Sequence, residues 1–278
     1  MDSSAFAQAP GVTARLTEPG QRASSGSAPT FVACMGHTEH AVAAAERTRW
    51  RTHQTDLILL GAGGGVDDVL DIVDALNDDG HTVNVLGVLD DGVRRGSEHL
   101  GLEVLGSLSD AGRFAGAQFA STNHNERDYA RHREIVSRVG MPPERFATLV
   151  HPRAGVARRT QLGHGVCICD GASLAGGVTV GDHVFVGARV VIGQNATVED
   201  HAVLAAGALL GGWVHAQRAC YVGSAAAVRP NVTLGRESVV ELGAIVVRDV
   251  ADRFVVVGNP ARRFLAQDDR GRRHLQGL

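Results

Sequence analysis

Between Val156 and Val246 the chain repeats a pattern with a period of six residues. The sixth residue of each hexad is aliphatic or alanine, and a small or β-branched residue stands two places before it. The register runs unbroken through fifteen hexads, and its sixth positions are Leu162, Ile168, Leu174, Val180, Val186, Ile192, Val198, Leu204, Leu210, Ala216, Val222, Val228, Leu234, Val240 and Val246. A period of six is too long for strand alternation and too short for a helical repeat, so it predicts a solenoid of short strands that each direct one large apolar residue inward.

Three such hexads are expected to close one triangular coil, so residues about eighteen apart should stack. Each stacked aliphatic side chain contributes roughly 1.5–3 kcal/mol when buried, against a backbone ordering cost of similar size. One coil therefore cannot be stable alone, whereas about five coils together can. An ordinary β-sandwich would not keep a fixed six-residue register.

The segment before the solenoid has the pattern of a βαβ unit. A buried strand ending in LILL is followed by the glycine turn GAGGG at residues 61–65 and by a helix whose apolar residues fall three or four apart. The next strand ends in Asp90-Asp91-Gly92, and residues 125–140 predict a second helix ended by Gly140. The fold class expected is therefore α/β followed by a β-solenoid, with a parallel sheet in the α/β part.

The glycine turn is also a candidate ligand site. Glycines there let a ligand approach the backbone, and the following helix N-terminus favours an anion. The motif falls short of a full G-x-G-x-x-G because Val66 stands where the third glycine would be. A tight turn without a ligand is the alternative interpretation.

Composition limits the partners and the compartment. The net charge of −3 and the pI near 6.5 argue against a nucleic-acid-binding surface. The sequence contains no run of 18 or more apolar residues, so no membrane span is predicted. The four cysteines form no C-x-x-C pair and suggest reduced thiols, which favours a cytoplasmic protein. Expected segments are a disordered extension (1–54), a Rossmann-like domain (55–150), the β-helix (151–258) and a C-terminal tail (259–278).

Together, the GAGG turn, the strand ending LDD, the hexads and the closing sequence VVVGNPARRF resemble the sugar acetyltransferases of the PglD/NeuD type. These belong to the hexapeptide-repeat superfamily with a left-handed β-helix, and the resemblance covers about residues 56–265. It implies acetyl-CoA or another acyl-CoA as co-substrate, bound between neighbouring solenoids of a homotrimer. It also implies a nucleotide-linked amino-sugar as the small-molecule acceptor on the N-terminal domain. The outward apolar residues Val191, Val203 and Leu209 are expected to meet neighbouring subunits.

The chain departs from the family pattern at the catalytic base. The family usually places a histidine in the second position of a hexad, and an ungapped superposition puts Gln194 there, with Asn195 in place of its carboxylate neighbour. A second family histidine falls on Val203. A glutamine cannot act as a base, and loss of a general base costs on the order of 10²–10⁴ in rate. Gln194 and Asn195 can still orient a substrate, since both offer donors and acceptors.

Two other histidines are candidates for the missing base. His215 takes an outward position on a solenoid face beside Trp213, where it can line a groove between subunits. His201 is the next candidate, although His183 and His201, eighteen residues apart, are expected to be exposed turn residues. A zinc site of the γ-type carbonic anhydrases, which share this solenoid, is not expected because the required histidine spacing is absent.

The remaining candidate residues follow from the same resemblance. The acyl-CoA candidates are Gly212, Ser224, Gly243, Arg229 and Arg262. The acceptor-site candidates are Gly61, Gly63, Gly64, Asp90, Asp91 and Asn123. Relatives often read GAGGHAK, whereas Gly65 and Asp67 replace that histidine and lysine here, and the added carboxylates oppose an anionic ligand.

The sequence therefore predicts an acyl-CoA-dependent acyltransferase, acetyl transfer being favoured, that acts on an amine or hydroxyl of a small, sugar-like acceptor. Two alternatives stay open: acyl transfer by a non-histidine mechanism, and a non-catalytic solenoid that binds a small molecule.

Overall fold

The computed structural model describes residues 54–124 and 129–266. The predicted N-terminal extension therefore lies almost wholly outside the described residues, and so does most of the predicted C-terminal tail. The described residues all belong to one compact unit. The domain boundaries near residues 150 and 258 stay predictions; the sheet that contains Leu149 extends to β24 at Ala266, beyond residue 258.

The first part of the structure, called here the α/β half, is a five-stranded sheet with two helices. Its elements are β1 (Thr55–Leu60), α1 (Val66–Asp78), β2 (Val83–Leu89), β3 (Glu98–His99), β4 (Leu102–Gly106), β5 (Gln118–Ser121) and α2 (Tyr129–Val139), with short 3₁₀ helices at Leu108–Arg113 and Pro143–Arg145. The strand order is β3-β4-β2-β1-β5, and all pairs are parallel except β3 with β4. Strand, glycine turn, helix and parallel strand follow one another as predicted.

The rest of the structure is a left-handed parallel β-helix with three faces. Face 1 contains β7 (Gly155–Val156), β10 (Ser173–Leu174), β13 (Val191–Ile192), β16 (Leu209–Leu210), β19 (Ala227–Val228) and β22 (Ile245–Val246). Face 2 contains β8 (Gln161–Leu162), β11 (Thr179–Val180), β14 (Thr197–Val198), β17 (His215–Ala216) and β20 (Thr233–Leu234). Face 3 contains β6 (Leu149–Val150), β9 (Cys167–Ile168), β12 (Phe185–Val186), β15 (Val203–Leu204), β18 (Tyr221–Val222), β21 (Val239–Val240), β23 (Phe254–Val257) and an antiparallel β24 (Arg262–Ala266).

The predicted inward register is confirmed. All fifteen sixth-position residues are 6% exposed or less, and they form one continuous apolar core. Each strand pairs with the strand one coil away, so that Val180, Val198 and Ala216 stand side by side on face 2. This stacking fixes which side chains point outward on every face, because neighbours along a strand point to opposite sides.

Among the described residues, face 3 packs against the α/β half and face 1 does not. The outward residues Phe185, Val203 and Tyr221 share one buried cluster with residues of α1 and β1. The prediction that Val203 meets a neighbouring subunit is therefore wrong: it is fully buried within its own chain. Val191 and Leu209 of face 1 are 42% and 43% exposed. Among the described helices, none is long and apolar enough to cross a membrane.

Replacing Val198 with aspartate tests this register. Val198 is fully buried in the solenoid core, so Val198→Asp leaves an unpaired carboxylate there, at a cost of at least about 3 kcal/mol. The matched control is Thr197→Asp, on the same strand with the side chain outward and part-exposed. Thermal unfolding followed by circular dichroism should show a large drop in Tm for Val198→Asp and a small one for Thr197→Asp. Equal Tm values for the two variants would contradict the register.

Candidate active site

His215 lies on face 2, in strand β17, with its side chain pointing outward. The stacked neighbours of His215 on this face are Thr197 and Thr233, one coil to either side. The imidazole is 42% exposed, so solvent and a ligand can reach it. The outward position that the hexad register predicts for His215 is therefore where the structure places it.

A carboxylate from the preceding coil holds the His215 ring. The His215 Nε2 and Glu199 Oε1 atoms are 2.6 Å apart, and the other carboxylate oxygen accepts a hydrogen bond from the Arg218 backbone N–H at 2.9 Å. Because the main chain fixes the carboxylate, the carboxylate in turn fixes the orientation of the ring. With the Nε2 proton directed at Glu199, Nδ1 is the nitrogen that can take a proton. The pair has the chemistry of a general base with an orienting carboxylate.

The corner between faces 1 and 2 brings together Gln194, Asn195 and Gly212. The backbone N–H of Trp213 donates to the Gln194 carbonyl at 2.9 Å, so Gln194 and Gly212 lie in adjacent coils. A Cβ on Gly212 would stand 3.2 Å from the Gln194 side-chain amide carbon. Gly212 therefore leaves room for the Gln194 side chain. Both residues lie at the corner between faces 1 and 2, and Gly212 comes three residues before His215 in the chain.

Asn195 has a structural role at this corner. Its φ is 57°, a left-handed conformation that asparagine tolerates better than most residues. Its side chain lies so close over Gly177, one coil before, that a Cβ there would collide with the amide oxygen. These contacts account for an asparagine at this position independently of any substrate.

The acyl-CoA candidates fall in three places. Arg229 follows Gly212 at the same corner one coil later, between faces 1 and 2. Ser224 and Gly243 lie at the corner between faces 3 and 1, where the Gly243 N–H donates to the Ser224 carbonyl at 2.9 Å. Arg262 lies in β24, beside an open pocket of about 280 Å³ at the C-terminal end of the solenoid. Within one chain the structure does not bring Ser224 and Gly243 to His215.

The structure corrects the prediction that His183 and His201 are exposed. His183 is 7% exposed, and its ring stacks on His201 with the centroids 5.1 Å apart. His132 of α2 meets His201 edge-on at 5.4 Å. Burial is the main cause that lowers the pKa of both His183 (to about 4) and His201. His201 thus belongs to a ring cluster under α2 and does not lie on the open face with His215.

Four of the predicted acceptor residues line one small pocket in the α/β half. Gly61, Asp90, Asp91 and Asn123 surround about 90 Å³ together with residues of α2, whereas Gly63 and Gly64 are not among its lining. The pocket lies at the carboxyl ends of β1, β2 and β5, where ligands bind in open parallel sheets.

The polar groups of this pocket already have partners inside the chain. Asp90 accepts hydrogen bonds from the backbone N–H groups of Ala62, Gly92 and Val93. Asp91 accepts one from the Leu108 N–H at 3.0 Å and pairs with Arg138 at 2.8 Å. These bonds hold the glycine turn and α2 in place around the pocket.

Sequence reasoning missed Glu199. It lies sixteen residues before His215, which is almost one full coil, so the two are distant along the chain and adjacent across coils. The stacking rule could have found it, because residues about one coil apart are neighbours. Within the described ranges, no group of three or more His, Cys, Asp or Glu is arranged to hold a metal ion.

Comparison with known proteins agrees with the fold. A family model described as bacterial transferase hexapeptide (six repeats) matches residues 177–212. A search of curated protein sequences finds no match.

Several solved structures have the same fold. The acetyltransferase domain of PglB from Neisseria gonorrhoeae FA1090, in complex with acetyl coenzyme A, is 24% identical, with a TM-score of 0.67 over 76% of this chain and 100% of that one. A mutant of perosamine N-acetyltransferase from Caulobacter crescentus, in complex with CoA and GDP-perosamine, is 24% identical, with a TM-score of 0.63 over 75% and 96%. WeeI from Acinetobacter baumannii AYE is 20% identical, with a TM-score of 0.65 over 76% and 100%.

Replacing Gly61 tests how tightly the pocket is built. Gly61 has a φ of +100°, and a Cβ there would collide with the Asn123 amide. Gly80 is the matched control, because its φ is +89° but nothing lies within 4 Å of its Cβ position. Gly80→Ala should cost about 1 kcal/mol from backbone strain alone, and Gly61→Ala about 2–4 kcal/mol from strain and collision. Urea unfolding measures the free energy of unfolding of both variants. Equal losses for Gly61→Ala and Gly80→Ala would show that the Asn123 side chain moves aside without cost.

Proposed function

We propose that this chain is an acyl-CoA-dependent acyltransferase that acts on the amine or hydroxyl of a small, sugar-like acceptor, with His215 as the general base. The observation that carries the proposal is the 2.6 Å contact between His215 and Glu199 on the open face 2, beside the corner formed by Gln194 and Gly212. A half-exposed imidazole whose orientation is fixed by a carboxylate is suited to taking a proton from an attacking nucleophile.

The proposed reaction balances with these groups. As the acceptor nitrogen or oxygen attacks the thioester carbonyl carbon, its proton passes to Nδ1 of His215. The new C–N or C–O bond forms, the C–S bond breaks, and the CoA sulfur leaves as a thiolate that takes up the proton. Glu199 stabilises the imidazolium formed in between, since an opposite charge at hydrogen-bond distance favours the charged form. Gln194 contributes orientation and no proton transfer.

The solved structures support both substrates of this reaction. One neighbour was crystallised with acetyl coenzyme A, and another with CoA and GDP-perosamine. Acetyl-CoA as acyl donor and an amino-sugar as acceptor are therefore the substrates that we propose first. No metal is proposed in the reaction.

A homotrimer is part of the same proposal. Ser224 and Gly243 lie at one edge of face 1, and Gln194 with Gly212 lies at the other edge. Val191 and Leu209 between them are apolar and exposed. If face 1 of one copy meets face 2 of the next, the acyl-CoA candidates of one chain can approach His215 of its neighbour, and the exposed apolar residues are covered.

The second candidate function is a solenoid that binds a small molecule without transferring an acyl group. Two observations favour it: Gln194 stands at the position of the family's histidine, and the carboxylates of the α/β pocket are already hydrogen-bonded within the chain. This alternative gives His215 no role in any reaction.

Three substitutions test the proposal by steady-state release of the CoA thiol between pH 5.5 and 8.5. His215→Gln should lower kcat/KM on the order of 10²–10³ and should abolish any rise in rate with pH that depends on this base, because a glutamine cannot take up a proton. Glu199→Gln should lower kcat/KM about tenfold, because the imidazole loses the carboxylate that fixes its orientation. Gln194→Ala should lower kcat/KM about tenfold and leave its pH dependence unchanged, because it removes orientation and no proton transfer.

Thr179→Ala is the control, since Thr179 is an outward residue of face 2 two coils away from His215. It should leave the rate and the pH profile unchanged. A His215→Gln protein that keeps the full rate and the same pH profile would place the base elsewhere.

A further inference from the structure

Three histidine rings meet where α2 lies on the solenoid. His183 and His201 come from the same corner in successive coils, and their rings are parallel within 8° at 5.1 Å. His132 of α2 stands edge-on to both, at 5.4 Å from His201 and 6.2 Å from His183. The ring of Phe146 also meets His183 edge-on, with the centroids 4.6 Å apart. We call His132, His183 and His201 the histidine cluster.

Two members of the cluster, His132 and His183, are buried, His201 is partly buried, and the rings make few hydrogen bonds. His132 is 3% exposed, and neither of its ring nitrogens has a hydrogen-bond partner among the described residues; Nδ1 of His201 also has none there. A buried polar atom without a partner costs about 1–3 kcal/mol, so this arrangement is not one that maximises stability. The proposed reaction does not use these side chains.

The charged groups around the cluster do not compensate for burial. His132 faces the other two cluster members and His124, while His183 faces Asp182 and His164. His201 faces the carboxylates Asp200 and Asp182 and the cations Arg133 and Arg218. Burial is the largest cause in each case and lowers the pKa of all three imidazoles, that of His132 well below its ordinary value. The neutral rings therefore suit this contact, and the charged rings oppose it.

The helix that rests on the cluster also closes the α/β pocket. Glu134, Ile135 and Arg138 of α2 line that pocket, and Arg138 pairs with Asp91 across it. His132 lies on the same helix within one turn of Glu134 and Ile135. Displacement of α2 from the solenoid would therefore open the pocket to solvent.

We propose that the histidine cluster is a pH-sensitive contact: its neutral rings hold α2 against the solenoid, and proton uptake on acidification releases α2 and opens the α/β pocket. The inference does not depend on acyl transfer, because it concerns only how α2 is held.

The sign of the effect follows from linkage. Each imidazole has a lower pKa in the folded chain than the ordinary value of about 6.5, so the released state binds more protons. The stabilisation is complete above about pH 6.5 and is lost as the pH falls, down to about 4 for His183. For each proton that the released state binds in excess, the equilibrium constant for release of α2 rises by up to about tenfold per pH unit. Three such protons raise it by up to about 10³-fold per pH unit.

Hydrogen exchange of the full chain tests the proposal. Backbone protection of residues 129–139 is compared at pH 7.5 and pH 5.0 after correction for intrinsic exchange rates. We expect the protection of α2 to fall at least about tenfold at pH 5.0, while the face 2 strands β11, β14 and β17 keep theirs. Most carboxylates stay ionised at pH 5.0, since their ordinary pKa values lie near 4, so the change reports on histidines.

His132→Phe keeps a buried ring and removes one titrating group, so its loss of protection between pH 7.5 and 5.0 should be smaller than that of the wild type. His201→Phe is the second variant, in case His132→Phe does not fold, and His81→Gln, away from the cluster, is the control that should behave like the wild type. Equal protection of α2 at both pH values in the wild type would overturn the proposal. A cluster variant with the full wild-type pH dependence would also overturn it.

Discussion

One buried aliphatic side chain per hexad, stacked on those a coil before and after it, is the contact on which this structure depends. Every coil closes because Val180, Val198, Ala216 and their counterparts are removed from water together. The same stacking determines which residues face outward and which stand at corners. His215 therefore takes its place between Thr197 and Thr233 as a consequence of core packing, before any ligand is considered.

The three faces have the same strand geometry and very different surroundings. Face 3 is covered by the α/β half, so that its outward residue Val203 is as buried as the core residues. Face 1 keeps Val191 and Leu209 partly exposed, and face 2 carries the His215–Glu199 pair. The solenoid therefore has one face for intramolecular packing and two for other contacts. The proposed reaction uses face 2, and the proposed trimer covers face 1.

The sequence predicts everything that depends on the period of six and little that depends on which face is covered. The inward residues, the outward position of His215 and the order strand, glycine turn, helix, strand all follow from local patterns. The burial of Val203 and His183 and the partial burial of His201 do not, because a hexad on face 3 looks like a hexad on face 1. The sequence also pointed to four residues that surround the α/β pocket, although their role in binding remains a proposal. Glu199 was missed because its contact with His215 crosses between coils.

We propose that this solenoid transfers an acyl group and does not merely bind a ligand. The most direct measurement incubates the full chain with acetyl-CoA and a panel of free and nucleotide-linked amino-sugars, and follows thiol release together with the mass of the acceptor. Acyl transfer predicts acceptor-dependent release of one thiol for each acetyl group gained by the acceptor. Binding of acetyl-CoA with no acceptor-dependent thiol release across the panel would contradict it.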